Sequence, residues 1–372
     1  MATLFETNRI KNLTMKNRSV RSATWDGMAE IDGSSTRGID SLMRDLVRGE
    51  VGLIISGHAY VHRDGQISPR QLGIYDDRLI EGLSRMVDVV HEAEGKIVAQ
   101  LAHAGCHSDA SKTGIEPMGP SPMERDDKRY CRAMTGQDVV RIVSDFGHAA
   151  IRAREAGFDG IQLHAAHGYL MSQFLSPFYN KRGDDYGGSI ANRARIVLEI
   201  VEKVQTEVGK DYPVMIKLNS EDFIDGGLSV DEMLEVSVML ERAGIDAIEL
   251  SGGLIWYSGK YGPARPGLLK TEAEEVYYRQ TAIRYKKQCK VPLMLVGGIL
   301  SYPVAERLIA EQVADYISFS RPLIREPDLI KRWIAGDMRK AACICCNLCL
   351  DAARNEHRLY CVAQARAAGK TV

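Results

Sequence analysis

The stretch that decides the fold is HAAHGYLMSQFLSPFYNKRGDDYGGSIANRARIVLEI, which spans residues 164–200. A short apolar run at residues 160–164 leads into it, and an amphipathic helical pattern at residues 193–208 overlaps its end. A continuously apolar run is typical of a parallel strand that is buried on both faces. The stretch therefore predicts a strand, a loop and a helix, which is one unit of a parallel α/β fold.

The same unit recurs along the chain on both sides of this stretch. Amphipathic helical patterns occur at residues 80–94, 139–156 and 230–243. Eight strands with intervening helices predict an α/β protein with a (β/α)8 TIM barrel. The alternative is a doubly wound open sheet, which normally shows GxGxxG after its first strand, and the sequence lacks that motif there. The other seven apolar runs are residues 18–23, 51–56, 96–101, 214–219, 247–251, 293–297 and 316–320.

Length and charge limit the classes of function. A chain of 372 residues can hold one barrel of about 250 residues with insertions, or two ordinary domains. A formal net charge of −1 gives no overall attraction to nucleic acid or to an anionic membrane. No apolar run approaches the roughly 18 residues of a membrane span. The N-terminal residues MATLFETNRIKN lack a signal pattern, so we expect a cytoplasmic protein with neither nucleic-acid nor membrane partners.

Polar residues and two long loops collect at the carboxyl ends of the predicted strands. The loops are residues 108–130 and 252–271, after the third and sixth strands. In a TIM barrel this end carries the active site, and glycine-containing turns after strands seven and eight commonly bind phosphate through backbone N–H groups. The strand-end residues are Gln100, His103, His164, His167, Tyr169, Lys217, Ser251, Gly297, Gly298, Ser320 and Arg321.

Residues 164–200 resemble the signature of the old yellow enzyme family of NADH:flavin oxidoreductases. The segments NRSVRSAT, GLIISG, IVAQLAHAG, VGGI and SRPLIREPDL resemble the same family, in its order, to about residue 333. The resemblance implies an FMN-binding barrel over residues 1–335. It also implies transfer of hydride from NADH or NADPH, through flavin N5, to an activated C=C bond of an α,β-unsaturated carbonyl compound or acyl thioester. An amine dehydrogenase on the same barrel and an electron-transfer flavoprotein subunit of a larger complex are the alternatives.

The resemblance also implies roles for individual residues. His164 and His167 would hold the substrate oxygen, which develops negative charge as in an oxyanion hole, and Tyr169 would deliver a proton. Trp25 and the loop residues Trp256 and Tyr257 are candidates for contact with a flat substrate, or for simple packing. Cofactor binding is implied for Ser22, Ala23, Thr24, His58, Gln100, Lys217, Gly297, Gly298, Ser320 and Arg321.

Five of the eight cysteines lie in the last thirty residues, within CICCNLCLDAARNEHRLYC, residues 343–361, which we call the cysteine segment. Four thiolates at the spacing of Cys343, Cys346, Cys349 and Cys361 suit a 4Fe–4S cluster or tetrahedral zinc. The alternative is a segment that binds nothing. The segment resembles the iron–sulfur segment of the 2,4-dienoyl-CoA reductase and trimethylamine dehydrogenase branch, with one residue fewer between Cys346 and Cys349.

We therefore expect residues 336–372 to form a cysteine-rich extension that packs on the barrel. A cluster there would exchange electrons with a partner protein unless NAD(P)H reaches FMN directly. The sequence is also compatible with a homo-oligomer.

Overall fold

Eight parallel strands close into a barrel in the computed structural model, which describes residues 2–125, 128–257 and 259–369. Each strand pairs with the next, β8 pairs with β1, and β3 pairs with β4, so the sheet is closed. Every strand overlaps one of the eight predicted runs, which confirms the TIM barrel. The strands are β1 (Ser19–Arg21), β2 (Leu53–Ile55), β3 (Ile97–Ala102), β4 (Gly160–Ala165), β5 (Val214–Asn219), β6 (Ala247–Ser251), β7 (Leu293–Val296) and β8 (Tyr316–Phe319).

A helix follows each strand and packs its apolar face on the outside of the barrel. Side-chain caps fix several helix starts. Thr135 and Asp138 form a capping box at one helix, and Ser229 and Glu232 form another, so backbone N–H groups of the first turn have acceptors. The helices are α1 (Arg37–Arg48), α2 (Ile80–His91), α3 (Gly136–Glu155), α4 (Ile190–Val208), α5 (Val230–Arg242), α6 (Arg279–Gln288), α7 (Tyr302–Ala310) and α8 (Leu329–Ile334).

An N-terminal hairpin closes the amino end of the barrel. Its strands, Asn8–Ile10 and Leu13–Met15, pair antiparallel. Ile10 and Met15 are buried in one apolar cluster with residues that point into the barrel, such as Val20 of β1. Because this end is filled by side chains, the open end of the barrel is the one at the carboxyl ends of the strands, where sequence analysis places the active site.

The first of the two predicted loops is more ordered than expected. Residues 108–130 were predicted as an irregular loop, but a small sheet forms from Met118–Gly119, Met123–Arg125 and Lys128–Ala133. The three strands have two, three and six residues. Residues 126 and 127, between the last two strands, lie outside the described residues. The described part of the second loop, residues 252–271, contains one helical turn at Gly259–Tyr261.

Beyond α8 the chain runs back across the carboxyl end of the barrel. The backbone N–H of Ala341 donates to the carbonyl of Leu300 at 2.9 Å, and two short helices follow, α9 (Leu348–Asn355) and α10 (Val362–Ala367). Residues 370–372 of the predicted extension lie outside the described residues. Among the helices that are described, none combines the length and the apolar character that a membrane span requires.

Candidate active site

A cavity of about 580 Å³ opens at the carboxyl ends of the strands. This volume is in the usual range for small-molecule and cofactor sites, about 300–1,000 Å³. All predicted catalytic and cofactor residues contribute to its wall. With Trp25 and Trp256, the predicted residues that line it are Ser22, Ala23, Thr24, His58, Gln100, His164, His167, Tyr169, Lys217, Gly297, Gly298, Ser320 and Arg321.

Tyr257 is the predicted substrate residue that does not appear among the described residues lining the cavity. Its side chain is 39% exposed, and its ring centroid lies 6.5 Å from that of Tyr261. Its neighbour Trp256 reaches the cavity wall and stands edge-on to His107, with centroids 5.4 Å apart. The two aromatic residues of the loop therefore differ in position, since Trp256 lines the cavity and Tyr257 does not.

A tight turn after β4 brings two histidines and a tyrosine together. His167 and Gly168 both have left-handed backbone angles, with φ of +63° and +82°, so the chain turns back over the strand end. The ring of Tyr169 stacks on His164 with centroids 4.1 Å apart, and the ring of His167 stands edge-on to His164 at 5.3 Å. The backbone N–H of His167 donates to Asn219 Oδ1 at 3.0 Å, which anchors the turn to β5.

The two histidines of this turn are neutral. Burial, followed by the nearby rings and Lys217, holds the pKa of His164 well below its usual value of 6.5, and burial also lowers the pKa of His167. The backbone N–H of Ala166 donates to His164 Nδ1 at 3.4 Å, so the ring proton of neutral His164 lies on Nε2. His167 Nε2 lies 2.7 Å from Ser251 Oγ. His164 can thus offer its Nε2–H to a substrate oxygen without carrying charge, and His167 can offer Nδ1–H in the tautomer whose Nε2 accepts from Ser251 Oγ.

Lys217 lies at the end of a chain of buried polar side chains that crosses the barrel. Its Nζ is 3.2 Å from Glu249 Oε2 and donates to Ser22 Oγ at 2.8 Å. Gln162 Nε2 donates to the same Glu249 oxygen at 2.9 Å, and Gln100 Nε2 donates to Gln162 Oε1 at 2.6 Å. Sequence reasoning missed Gln162 and Glu249. The available signal was a polar residue inside each of the apolar runs of β4 and β6.

The glycine turn after β7 forms another part of the cavity wall. Gly297 and Gly298 both have positive φ, +119° and +72°. A Cβ atom on Gly298 would lie 2.5 Å from the ring of Tyr277, so a larger residue does not fit. At the ends of the neighbouring strands β8 and β1, Ser320 Oγ and Thr24 Oγ1 are 2.8 Å apart.

Three buried polar atoms of residues that line the cavity lack hydrogen-bond partners among the described residues, namely Trp25 Nε1, Ser68 Oγ and Ser318 Oγ. An unsatisfied buried polar atom costs about 1–3 kcal/mol. These atoms therefore favour a bound group with polar edges.

Arg321 connects the cavity to the cysteine segment. Its Nη1 donates to Asn347 Oδ1 at 2.6 Å and to the carbonyl oxygen of Arg265 at 2.9 Å. Asn347 in turn donates to the carbonyl of Ala264 at 2.8 Å. This guanidinium, predicted from the resemblance as a phosphate ligand, thus also holds the extension against the sixth-strand loop.

The four predicted metal-binding cysteines surround one small cavity of about 20 Å³, which Arg321 and Arg325 also line. Arg325 Nη1 lies 3.3 Å from the sulfur of Cys361. Within residues 2–125, 128–257 and 259–369, however, no group of three or more His, Cys, Asp or Glu side chains is arranged to hold a metal ion. The cavity has room for about one water-sized ion, and a 4Fe–4S cluster would require the thiols to move apart.

Comparison with known proteins gives a consistent picture. The family model of the NADH:flavin oxidoreductase / NADH oxidase family matches residues 3–338. An NADH oxidase of Thermoanaerobacter brockii is 35% identical over 93% of this chain, which spans only 53% of that protein. An NADPH dehydrogenase of Halalkalibacterium halodurans is 34% identical over 87% of this chain and 91% of its own length. The structure of a 2-naphthoyl-CoA reductase in complex with 2-naphthoyl-CoA superposes with a TM-score of 0.86 at 28% identity, covering 96% of this chain and 56% of the other.

Proposed function

Because the chain belongs to the NADH:flavin oxidoreductase / NADH oxidase family, the family of the old yellow enzymes, we propose that it is an FMN-dependent ene-reductase. Its reductant is NADH or NADPH, and its acceptor is an α,β-unsaturated carbonyl compound or acyl thioester. The observation that carries the proposal is the stack of Tyr169 on His164, beside His167, in the wall of the cavity.

The cavity residues fit FMN. The glycine turn after β7 lines the cavity, as expected of a phosphate-binding turn, buried Lys217 offers a cation, and the unpaired atoms of Trp25 and Ser318 offer polar contacts. When bound, FMN supplies the hydride acceptor and donor that none of the twenty side chains provides. The residues that would hold it are Ser22, Ala23, Thr24, His58, Gln100, Lys217, Gly297, Gly298, Ser320 and Arg321.

His164 and His167 would bind the carbonyl oxygen of the acceptor. Hydride addition at the β-carbon of a conjugated alkene moves negative charge to this oxygen. Two neutral N–H donors in a buried site stabilise that charge more than they stabilise the uncharged ground state, which is the principle of an oxyanion hole. The low pKa of both rings keeps them from binding the ground state as cations at neutral pH.

Tyr169 would deliver the proton that completes the reduction. Burial raises the pKa of Tyr169, so its hydroxyl stays protonated at neutral pH. An enolate carbon is basic enough to take this proton, whereas weaker bases in the cavity are not. The stacked histidine holds the phenol ring beside the proposed oxygen site, at a centroid distance of 4.1 Å.

For the cysteine segment we propose a metal centre, either iron–sulfur or zinc, at Cys343, Cys346, Cys349 and Cys361. The support is that four thiols separated by up to eighteen positions meet at one cavity. Arg321 and Arg325 beside them would offset the negative charge of metal-bound thiolates. Since the thiols are not arranged as ligands in this structure, no part of the proposed reaction depends on the metal.

The proposed function is tested on protein that is purified without oxygen. The flavin is released by denaturation and identified, and oxidation of NADH and NADPH is then measured with a panel of enones and enoyl thioesters. FMN together with a saturated product supports the proposal. FAD in place of FMN, or a lack of alkene reduction across the panel, would refute it. Reduction of a co-purified redox protein without any alkene reduction would instead support the electron-transfer alternative.

A further inference from the structure

A third histidine contacts the proposed proton donor beside His164, with the two imidazole centroids 6.1 Å apart. His58 follows β2, and its Nε2 lies 3.1 Å from the hydroxyl oxygen of Tyr169. The two ring centroids are 5.3 Å apart with an interplanar angle of 59°. A hydrogen bond between the two side chains therefore runs along the cavity wall, and its direction depends on which ring nitrogen of His58 carries hydrogen.

Gln71 determines that direction. The backbone N–H of Ile67 donates to Gln71 Oε1 at 2.9 Å, and a backbone N–H can only donate, so the amide oxygen must be at that end. The amide nitrogen of Gln71 then faces His58. It lies 2.9 Å from the ring atom Nδ1 of His58 and 3.3 Å from the backbone carbonyl oxygen of His58. Because Gln71 donates to Nδ1, that atom has a lone pair and no hydrogen.

The neutral ring of His58 therefore carries its hydrogen on Nε2. Burial lowers the pKa of His58 to about 4, with a smaller effect of Lys217, so the ring is neutral near pH 7. Its Nε2–H points at the Tyr169 oxygen and donates to it. Tyr169 accepts this bond and keeps its own O–H for another acceptor.

We propose that His58, oriented by Gln71, is a positioning residue that aims the O–H of Tyr169 into the cavity and stabilises the phenolate that remains after proton transfer. The inference rests on the proposed function. In the step concerned, the O–H bond of Tyr169 breaks and a C–H bond forms at the α-carbon of the substrate enolate. No electrons leave or enter Tyr169, its oxygen becomes a phenolate that accepts from His58 Nε2–H, and water later returns the proton.

The test compares two substitutions of His58 that differ in one hydrogen-bond donor. His58→Phe keeps a ring and removes the donor, whereas His58→Gln keeps an N–H at about the reach of Nε2. A hydrogen bond to a charged oxygen corresponds to a rate factor of about 10 to 100. We expect His58→Phe to slow reoxidation of reduced flavin by an enone by this factor, and His58→Gln to slow it less than about threefold. His58 is also one of the residues proposed to hold FMN, so flavin content and the rate of reduction by NAD(P)H are measured in both variants. We expect His58→Phe to slow reoxidation, per bound flavin, by more than it slows reduction.

A double-mutant cycle with Tyr169→Phe separates this inference from the proposed function. Without the phenol oxygen His58 has nothing to act on, so the double variant Tyr169→Phe/His58→Phe should be no slower than Tyr169→Phe alone. If Tyr169→Phe slows alkene reduction but His58→Phe does not, His58 has no such role. If Tyr169→Phe has no effect, the proposed proton donor itself is wrong. Equal slowing of both half-reactions by His58→Phe would assign His58 to flavin binding and overturn the inference.

A second measurement does not depend on activity. Labelling the nine histidines with ¹⁵N and recording long-range ¹H–¹⁵N spectra identifies the protonated nitrogen of each ring. The His58 signals are those that disappear in His58→Gln. We expect Nε2–H in the wild type, and a mixture of both neutral forms in Gln71→Leu, which removes the donor to Nδ1. Nδ1–H in the wild type would overturn the inference.

Discussion

Replacing Tyr169 by phenylalanine removes one hydroxyl from the proposed site and little else. The ring is buried and stacked on His164 at 4.1 Å, a contact that phenylalanine keeps. The lost interaction is the 3.1 Å hydrogen bond with His58, so the free energy of unfolding should fall by only about 1 kcal/mol. A positioned general acid contributes about 10²- to 10⁴-fold. At 1.36 kcal/mol per factor of ten, the barrier to proton delivery should rise by about 2.7–5.4 kcal/mol.

Stopped-flow measurement of the two half-reactions checks this expectation. Reduction of the flavin by NAD(P)H requires no proton from Tyr169 and should keep its rate within about threefold. Reoxidation by an enone requires the proton and should slow by the full factor. Tyr179→Phe is the matched control, because Tyr179 is also buried and its hydroxyl lies 3.0 Å from His107 Nε2. Tyr179 is not among the described residues that line the cavity, so neither half-reaction should change.

Three results would refute the reasoning about Tyr169. Equal slowing of both half-reactions would mean that the residue shapes the pocket or the flavin site. An unchanged rate of reoxidation would mean that water or another side chain supplies the proton. Loss of flavin from Tyr169→Phe, with flavin retained in the Tyr179→Phe control, would assign the hydroxyl to cofactor binding.

Three further predictions concern other parts of the site. Changing His164 and His167 together to alanine should weaken binding of phenolate ligands by about 10²- to 10⁴-fold, because two hydrogen bonds to a charged oxygen are lost. The long-wavelength charge-transfer band of these ligands should disappear, and an unchanged band would show that the pair does not face the flavin. Glu249→Gln leaves the buried cation of Lys217 without its partner, so it should lower the free energy of unfolding by about 3–5 kcal/mol in urea denaturation. It should also raise the flavin reduction potential, and an unchanged potential would contradict the proximity of Lys217 to the flavin. Protein purified without oxygen should contain iron with acid-labile sulfide, or zinc, and lose it when the four proposed ligand cysteines become serine; protein with neither metal would rule out the proposed centre.

The arrangement of strands and helices was largely readable from the sequence. Strands that are buried on both faces are mostly apolar, and each of the eight runs became a barrel strand with bounds that differ by at most two residues. The N-terminal hairpin and the small sheet within residues 118–133 were not predicted. Their strands are not continuously apolar, as KRYCRA at Lys128–Ala133 shows, and they form because neighbouring parts of the chain offer partners.

The location of the candidate site was also readable, because it follows from the fold. The carboxyl ends of all strands of a parallel barrel meet at one rim, so His164, Lys217 and Gln100 had to come close to one another once the strands were assigned. Tyr257 shows the limit of this reasoning. It belongs to a long loop, where neighbouring residues such as Trp256 can point to opposite sides, and no strand register constrains them.

The sequence by itself determined the barrel, its family and the set of polar residues at its open end, since these depend on patterns within short segments. Only the tertiary structure decided how those residues are connected. Glu249 meets Lys217 because β5 and β6 pair in one register, and Gln71 sets the proton position of His58 from thirteen residues away. Hydrogen bonds act over about 3 Å, and which polar atoms come within that distance depends on barrel closure and on loop paths that no local pattern specifies.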